Sequence, residues 1–309
     1  MYAIESAINT IPAGQGFDTE SYDLLKKEDF IMHHLKENKL YMVLRYLIYI
    51  GVFVFLVFPL YWIISTSLRT DKEILNTNIS LIPRTFTVSH YVDAFTKVNL
   101  LQNLKNSLIV TLVTVMISLL IGFLMAYAFA RKSFKAKGFL NTLILLTQFI
   151  PMVAYIIPLY LIMSKMGLIN TLPSLFITYL GLAFPIAVVL LTNYIQDVPI
   201  ALEEAASIDG CTTWQVMFHI VFPLAAPGII STAIFVFITV WQEYLVAVSF
   251  ISKERLYTVS IALTSFQGAH GTDWGGIMAG AVLISIPVVI LFLSSKKMFV
   301  NNLTGGVKG

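Results

Sequence analysis

The chain has 309 residues, 57% of them hydrophobic and 12% charged, with a formal net charge of +3 and a mean hydropathy of +0.81. Apolar runs of about 20 residues recur along it, the length that crosses the hydrocarbon core of a bilayer as a helix, so an all-α, polytopic membrane protein is expected. The small positive charge is scattered at the flanks of those runs and covers no face, which excludes a nucleic-acid surface. The single cysteine, Cys211, allows no internal disulfide and no cysteine metal site, and reads as a small filler residue.

Residues 1–45 form a polar extension, with Pro12, Gly14 and Gly16 near its start and the cluster Lys26-Lys27-Glu28-Asp29, which is not the pattern of a secretory signal. Within it, Ser21 to Asn38 reads either as an amphipathic helix on the membrane surface or as a loosely ordered tail. Six spans follow by hydropathy: Tyr46–Ser67, Leu108–Ala130, Phe139–Met163, Leu172–Ile195, Gly228–Phe250 and Gly276–Ser294. An even number places both termini on one side. The basic connection Arg131, Lys132, Lys135 and Lys137, together with Lys296-Lys297, assigns that side to the cytoplasm. The expected division is therefore a cytoplasmic extension 1–45, a transmembrane domain 46–295 with a cytoplasmic loop 197–226, and a cytoplasmic tail 296–309. Pro151 and Pro158 in the third span, Pro185 in the fourth and Pro287 in the sixth free backbone groups that neighbouring helices must satisfy, so the spans are expected to pack as a bundle. Outside, the sizeable loops are Arg69–Lys105 and Ser252–Asp273, the second carrying the flexible, polar Gln267-Gly268-Ala269-His270-Gly271.

The loop 197–226 reads as two short helices around a turn. Pro199 suits a first helical turn capped by Asp197, and Asp209-Gly210 supplies the stop. Thr212 with Gln215 matches a capping box for a second helix, Trp214–Val221, which Phe222-Pro223 is expected to end. Glu203 and Glu204, followed by Ala205 and Ala206, form a small acidic knob that a cationic groove accepts and alanine lets approach closely. An ordinary surface connector is the alternative on charge pattern alone.

The order Glu204-Ala205-Ala206, three residues, Gly210, nine residues, Ile220, then Phe222 and Pro223 resembles the EAA signature of ATP-binding-cassette importer permeases, with Phe222 where leucine is usual. Asn106-Ser107-Leu108, Tyr127-Ala128-Phe129-Ala130-Arg131, Trp241-Gln242-Glu243-Tyr244 and the ending Gly305-Gly306-Val307-Lys308-Gly309 are similar to the carbohydrate-uptake branch, specifically the shorter permease of maltose-type pairs. The resemblance runs from about Tyr46 to the end. It implies a type I ABC importer permease fold of six transmembrane helices with a cytoplasmic coupling helix, in the cell inner (plasma) membrane. It further implies a second homologous permease, a cytoplasmic ABC ATPase dimer that binds ATP and Mg, and an extracytoplasmic solute-binding protein that delivers the sugar. By position, Glu203, Glu204, Ala205, Ala206, Gly210, Thr213, His219 and Pro223 are assigned to the ATPase contact. The chain has no phosphate-loop sequence, so it is read as a transport subunit with no catalytic residue, no metal and no cofactor of its own.

Within the spans, Glu243 is the main acid, and an ionisable group there is costly unless solvated or paired, so it should face the bundle interior. Glu243, Trp241 and Gln242 are candidates for a sugar path, with Asn106 and Asn193 as weaker ones; a structural pairing of Glu243 with a neighbouring span is the other reading. His33, His34, His90, His219 and His270 show no ligand spacing and read as solvated, while Trp62 and Tyr194 read as interface anchors. The alternatives are a permease for another solute, such as a polyol or glycerol phosphate, which would favour Lys or Arg facing the cavity, and a proton-coupled secondary transporter using Glu243. An intramembrane hydrolase lacks any His-Glu-x-x-His or Gly-x-Ser-x-Gly in support.

Overall fold

The computed structural model describes residues 39–78, 80–268 and 271–305, with side chains between 41 and 295. Its long or site-forming helices, in chain order, are α1 (Lys39–Ser67), α2 (Leu100–Arg131), α3 (Lys137–Thr147), α4 (Met152–Lys165), α5 (Leu172–Gln196), α6 (Ile200–Ile208), α7 (Ala226–Trp241), α8 (Leu245–Phe250) and α9 (Trp274–Gly305). Two compact units divide the chain, residues 1–62 and 63–309. The described part of the first belongs to α1, which is apolar on every face, the pattern of a helix surrounded by lipid. The segment Ser21–Asn38, with His33 and His34, lies outside the described residues.

The second unit is built on α2 and α5, which pack against each other more extensively than any other pair, with α7 laid across both. Small residues permit this. A Cβ on Gly122 of α2 would lie 3.5 Å from the Cβ of Ala187 on α5, so the two backbones approach where dispersion contacts, rather than water exclusion, must hold helices together. Polar residues line the same seam. Thr114 of α2 and Thr232 of α7 are fully buried, and each donates its hydroxyl to the carbonyl four residues earlier, Val110 and Gly228, at 2.8 Å.

Among the described residues four helices, α1, α2, α5 and α9, are long and apolar enough to cross a membrane, and the total is six when each of two bent pairs is counted as one span. The predicted third span is not straight. It breaks between α3 and α4, which meet at 101°, and Pro151, lacking an N–H, sits at the start of α4. Pro158, Pro185 and Pro287 instead lie inside α4, α5 and α9. The predicted fifth span divides into α7 and α8 around Gln242-Glu243-Tyr244, and the stretch Thr213–Leu224 enters α7 with a 74° bend. Helix α9 runs on through Gly305.

At the end of the bundle where α2 and α9 begin, the expected loops are folded. Helix α2 starts at Leu100, eight residues before the predicted Leu108, and the short helices Asp71–Ile74 and Ser89–Thr96 precede it. Arg69 is buried and donates to the carbonyls of Ser80 (2.7 Å) and Leu81 (2.9 Å). Glu73 accepts from the amides of Arg84 (3.0 Å) and Thr85 (3.2 Å), and the Arg84 amide is the largest influence holding its carboxyl below the usual range. The segment expected to be flexible forms a strand pair, β1 (Gln267–Gly268) with β2 (Gly271–Thr272); Ala269 and His270 lie outside the described residues. Asn170 adopts φ 62° and its carboxamide oxygen accepts from the amides of Ser252 (2.6 Å) and Lys253 (3.1 Å), tying the α4–α5 connection to the end of α8.

Candidate functional site

The segment after α5 folds as two helices around a tight turn for local reasons. Helix α6 ends in a complete Schellman arrangement: Gly210 takes φ 86°, its amide donates to Ser207 O (3.2 Å), and the Cys211 amide donates to Ala206 O (3.0 Å). The predicted capping box is present. Thr212 Oγ1 accepts from the Gln215 amide (3.4 Å), and Gln215 Oε1 accepts from the Thr212 amide (2.8 Å). Two expectations need correction. Pro199, not Asp197, occupies the N-cap of α6, and Asp197 is instead the residue that closes α5. Phe222-Pro223 does not end the second helix, because Thr213–Val216 passes through a π-turn, Met217–Val221, into Phe222–Leu224, the widened turn lying just before the proline.

One face of this segment is a seat and the other is free. Ala206, Val216, Met217 and Val221 are buried against Phe123 and Tyr127 of α2 and Leu191 and Ile195 of α5. Glu204, Ala205, Gly210, Thr213, His219 and Pro223 are exposed, as are Ile208 (86%) and Trp214 (62%), two large apolar side chains that sequence reading did not single out. The Trp214 ring stacks on Phe218 at 5.9 Å, and His219 Nδ1 lies 3.2 Å from Gln215 O. Cys211 is exposed beside the turn, so it fills no space in the core.

The acidic knob is only half what the sequence suggested. Glu203 is 6% exposed and points into the bundle, where its carboxylate pairs with Arg131 Nε at 2.5 Å and accepts from Tyr127 Oη at 3.0 Å. Arg131, the last residue of α2, also donates from Nη2 to the carbonyls of Ile195 (2.7 Å), in the last turn of α5, and Val198 (2.6 Å), just past it. Adjacent helical residues point about 100° apart, so Glu203 is turned inward while Glu204 faces out. No single-sequence signal announces a pair separated by 72 positions.

Towards the other end of the bundle, the break between α7 and α8 places Gln242, Glu243 and Tyr244 on a cleft of about 400 Å³, lined also by Met152, Tyr179, Leu182 and Ala183. Glu243 is paired there: its carboxylate accepts from Tyr179 Oη (2.6 Å) and from the amides of Val246 (2.9 Å) and Ala247 (3.2 Å), the first free N–H groups of α8. Gln242 is exposed. Trp241 is not on the cleft; it is 5% exposed, stacks on Phe237 at 5.3 Å and donates to Ile284 O of α9 (3.3 Å). Asn106 is likewise structural, 2% exposed, donating to the carbonyls of Arg255 and Tyr257 (both 3.0 Å). Asn193 is exposed in the last turn of α5, fourteen residues or about 21 Å of helix beyond Tyr179.

Two further expectations fall. His90 is not solvated but 3% exposed, with Nε2 2.8 Å from Arg69 O and Nδ1 3.7 Å from Asp273. Its ring lies where a Cβ on Gly275 would be, at 2.2 Å, which explains a glycine at the start of α9. Asp71, His90 and Asp273 bring ligand-capable atoms within 4.8 Å of one another, but the imidazole is already engaged by the Arg69 carbonyl, and Asp273 Oδ1 accepts from the Gly276 amide (2.7 Å). Tyr194, read as an interface anchor, packs instead against Gly228 of α7.

Residues 118–304 match the family described as binding-protein-dependent transport system inner membrane component. The chain belongs to that family. The sulfoquinovosyl glycerol transport system permease protein SmoH of Agrobacterium fabrum is 35% identical over 253 residues, 82% of this chain and 89% of the relative. The diacetylchitobiose uptake system permease protein DasC of Streptomyces coelicolor is 36% identical over 260 residues, 84% of this chain and 94% of the relative. Among solved structures, a chain of a bacterial ABC transporter involved in the import of the acidic polysaccharide alginate superposes with a TM-score of 0.70, covering 83% of this chain and 95% of that one at 20% identity, a likeness that establishes the fold. This family member is thus a multi-pass membrane permease of type I ABC importer fold.

Proposed function

We propose that this chain is the shorter permease of a sugar or oligosaccharide importer and that the exposed face of α6 and its following turn is its contact with a separate, ATP- and Mg-binding ATPase subunit. The observation that carries the coupling assignment is the pairing of opposites at adjacent positions: Glu203 is consumed inside the bundle, whereas Glu204, Ala205, Ile208 and Trp214 stand free on one side. A free acid beside exposed apolar side chains suits a groove with a basic rim and an apolar floor. Placing this end in the cytoplasm follows from Lys132, Lys135 and Lys137 in the connection after α2, and puts both termini there as well.

The sugar reading draws on relatives whose names specify sulfoquinovosyl glycerol, diacetylchitobiose and, for the SugB protein of Mycobacterium tuberculosis, trehalose. It suits the cleft at the α7–α8 break, which offers a carboxylate, an amide and tyrosines and carries no Lys or Arg among its described lining, against a phosphate ester. A second permease and an external solute-binding protein complete the proposed assembly; a solved structure of like fold, at 16% identity, is a bacterial alginate ABC transporter in complex with alginate pentasaccharide-bound periplasmic protein.

The test is to tag the chain, extract it from its own cells in mild detergent and identify by mass spectrometry what remains bound, alongside Glu204→Lys. Wild type should bring down a phosphate-loop ATPase and a second permease. Glu204→Lys should insert normally yet lose sugar uptake, because a cation would face the basic rim; normal uptake by this variant would remove the coupling assignment.

A further inference from the structure

Resting on the coupling reading above, we propose that Arg131 and Glu203 are positioning residues that make the coupling helix α6 one rigid body with α2 and α5, so that a push on its outer face moves two spans together. The chemistry is in the guanidinium. Its Nε is committed to Glu203, and its Nη2 to the carbonyls of Ile195 in the last turn of α5 and Val198 just past it, while the side chain itself grows from the last turn of α2. One planar group thus joins three elements, with geometry that a lysine point charge cannot reproduce. Tyr127, one turn earlier on α2, holds the second carboxylate oxygen and fixes its orientation.

Burial gives the pair its mechanical meaning. Side-chain exposure is 9% for Arg131 and 8% for Glu203, so water neither screens the interaction nor replaces it when the elements shear. The apolar seat beneath α6, formed by Ala206, Val216 and Met217 against Phe123 and Ile195, resists separation but is non-directional and tolerates sliding. The charged, fork-shaped contact supplies the missing direction. A docking face carrying Glu204 and Ile208 moves the spans only if its own helix cannot slip, and the clamp lies on the side of that helix turned away from the docking face.

The test uses the assembled complex in a Cys211→Ser background, with nitroxide labels on Leu202→Cys, exposed on α6 away from the face that carries Glu204 and Ile208, and on Lys132→Cys, exposed just past α2. With the clamp intact, the distance between labels should be narrow and identical with and without ATP. Adding Glu203→Gln, which keeps shape and removes charge, should broaden it. The same substitution in proteoliposomes should leave the ATPase bound and hydrolysing while sugar moved per ATP falls about tenfold. A distance that changes with ATP while the clamp is intact overturns the proposal, as does Glu203→Gln with unaltered distance and transport ratio. Loss of the ATPase from the Glu203→Gln complex also overturns it, because Glu203 would then be a direct contact. If the Glu203→Gln chain does not fold and insert, Tyr127→Phe, which removes one hydroxyl, should broaden the distance to a smaller extent, and its failure to do so counts against the clamp. Failure of the underlying coupling reading looks different: no ATPase accompanies the wild-type chain at all.

Discussion

Glu243 separates two kinds of transporter, and its surroundings allow the cost of changing it to be worked out. Its carboxylate serves three donors, the Tyr179 hydroxyl and the amides of Val246 and Ala247. Glu243→Gln keeps one acceptor oxygen and turns an NH₂ group towards at least one of those donors, which should cost about 1–3 kcal/mol. Glu243→Ala leaves all three without an acceptor; because the residue lines a cleft that water enters, the lower end of the usual range applies to each, giving about 3–5 kcal/mol in total. Tyr179→Phe removes one donor and leaves the charge, at about 1–2 kcal/mol. Thermal unfolding of the detergent-solubilised complex and radiolabelled sugar uptake should therefore fall together, in the order Tyr179→Phe, Glu243→Gln, Glu243→Ala. A carboxylate that shuttles protons behaves otherwise. Complete loss of uptake in Glu243→Gln at unchanged unfolding temperature would refute the role of a helix-break support.

Three further outcomes are expected. Asn106→Ala removes both donations to the Arg255 and Tyr257 carbonyls and should cost about 1–3 kcal/mol locally, seen as faster amide exchange across residues 253–258 with α2 itself still protected; unchanged exchange there would count against this tether. Gly228→Ala would bring a methyl 2.1 Å from Tyr194 Cγ, so α5 and α7 must separate, at about 1–3 kcal/mol, and the companion change Tyr194→Ala should restore stability. Glu73 has its pKa lowered by the Arg84 amide, so it stabilises its loop above the unfolded value of 4.5 and ceases to do so as pH falls through the lower folded value. Protection of the Arg84 and Thr85 amides, corrected for intrinsic exchange, should drop over that acid range in wild type and be pH-independent there in Glu73→Gln.

What the sequence made legible was whatever is encoded locally. Glycine after α6 and the Thr212–Gln215 box specify the turn with residues no more than three apart, and both are present. Hydropathy located the apolar runs but could not see where α3 gives way to α4 or α7 to α8, since the residues at those breaks are as apolar as a continuous span or are polar for reasons held elsewhere. Glu243 is the clear case: its acidity suggested a site, yet its partner Tyr179 lies 64 positions away. Asn106 shows the converse, an amide that composition offered to a sugar and folding gave to two carbonyls 149 and 151 residues on.

The buried Glu203 and the half-buried Glu243 follow one physical rule with different consequences. Each is held by a tyrosine from a packed span, Tyr127 of α2 and Tyr179 of α5, and each sits in or just before the first turn of a short helix. Glu243 meets no cation among its described hydrogen-bond partners and is satisfied by the amides that begin α8, so its charge fixes a break in a span. Glu203 meets Arg131, and through it the carbonyl end of α5, so its charge fixes a joint between helices. The break at Glu243 is held by neutral donors, the Tyr179 hydroxyl, two amides and Ser260, which donates to the Glu243 carbonyl (2.7 Å), whereas the joint closed by Arg131 cannot open without stranding a charge. The charged joint thus lies at the α6 end, as the proposed coupling requires if motion begins at α6 and is to be felt at Glu243.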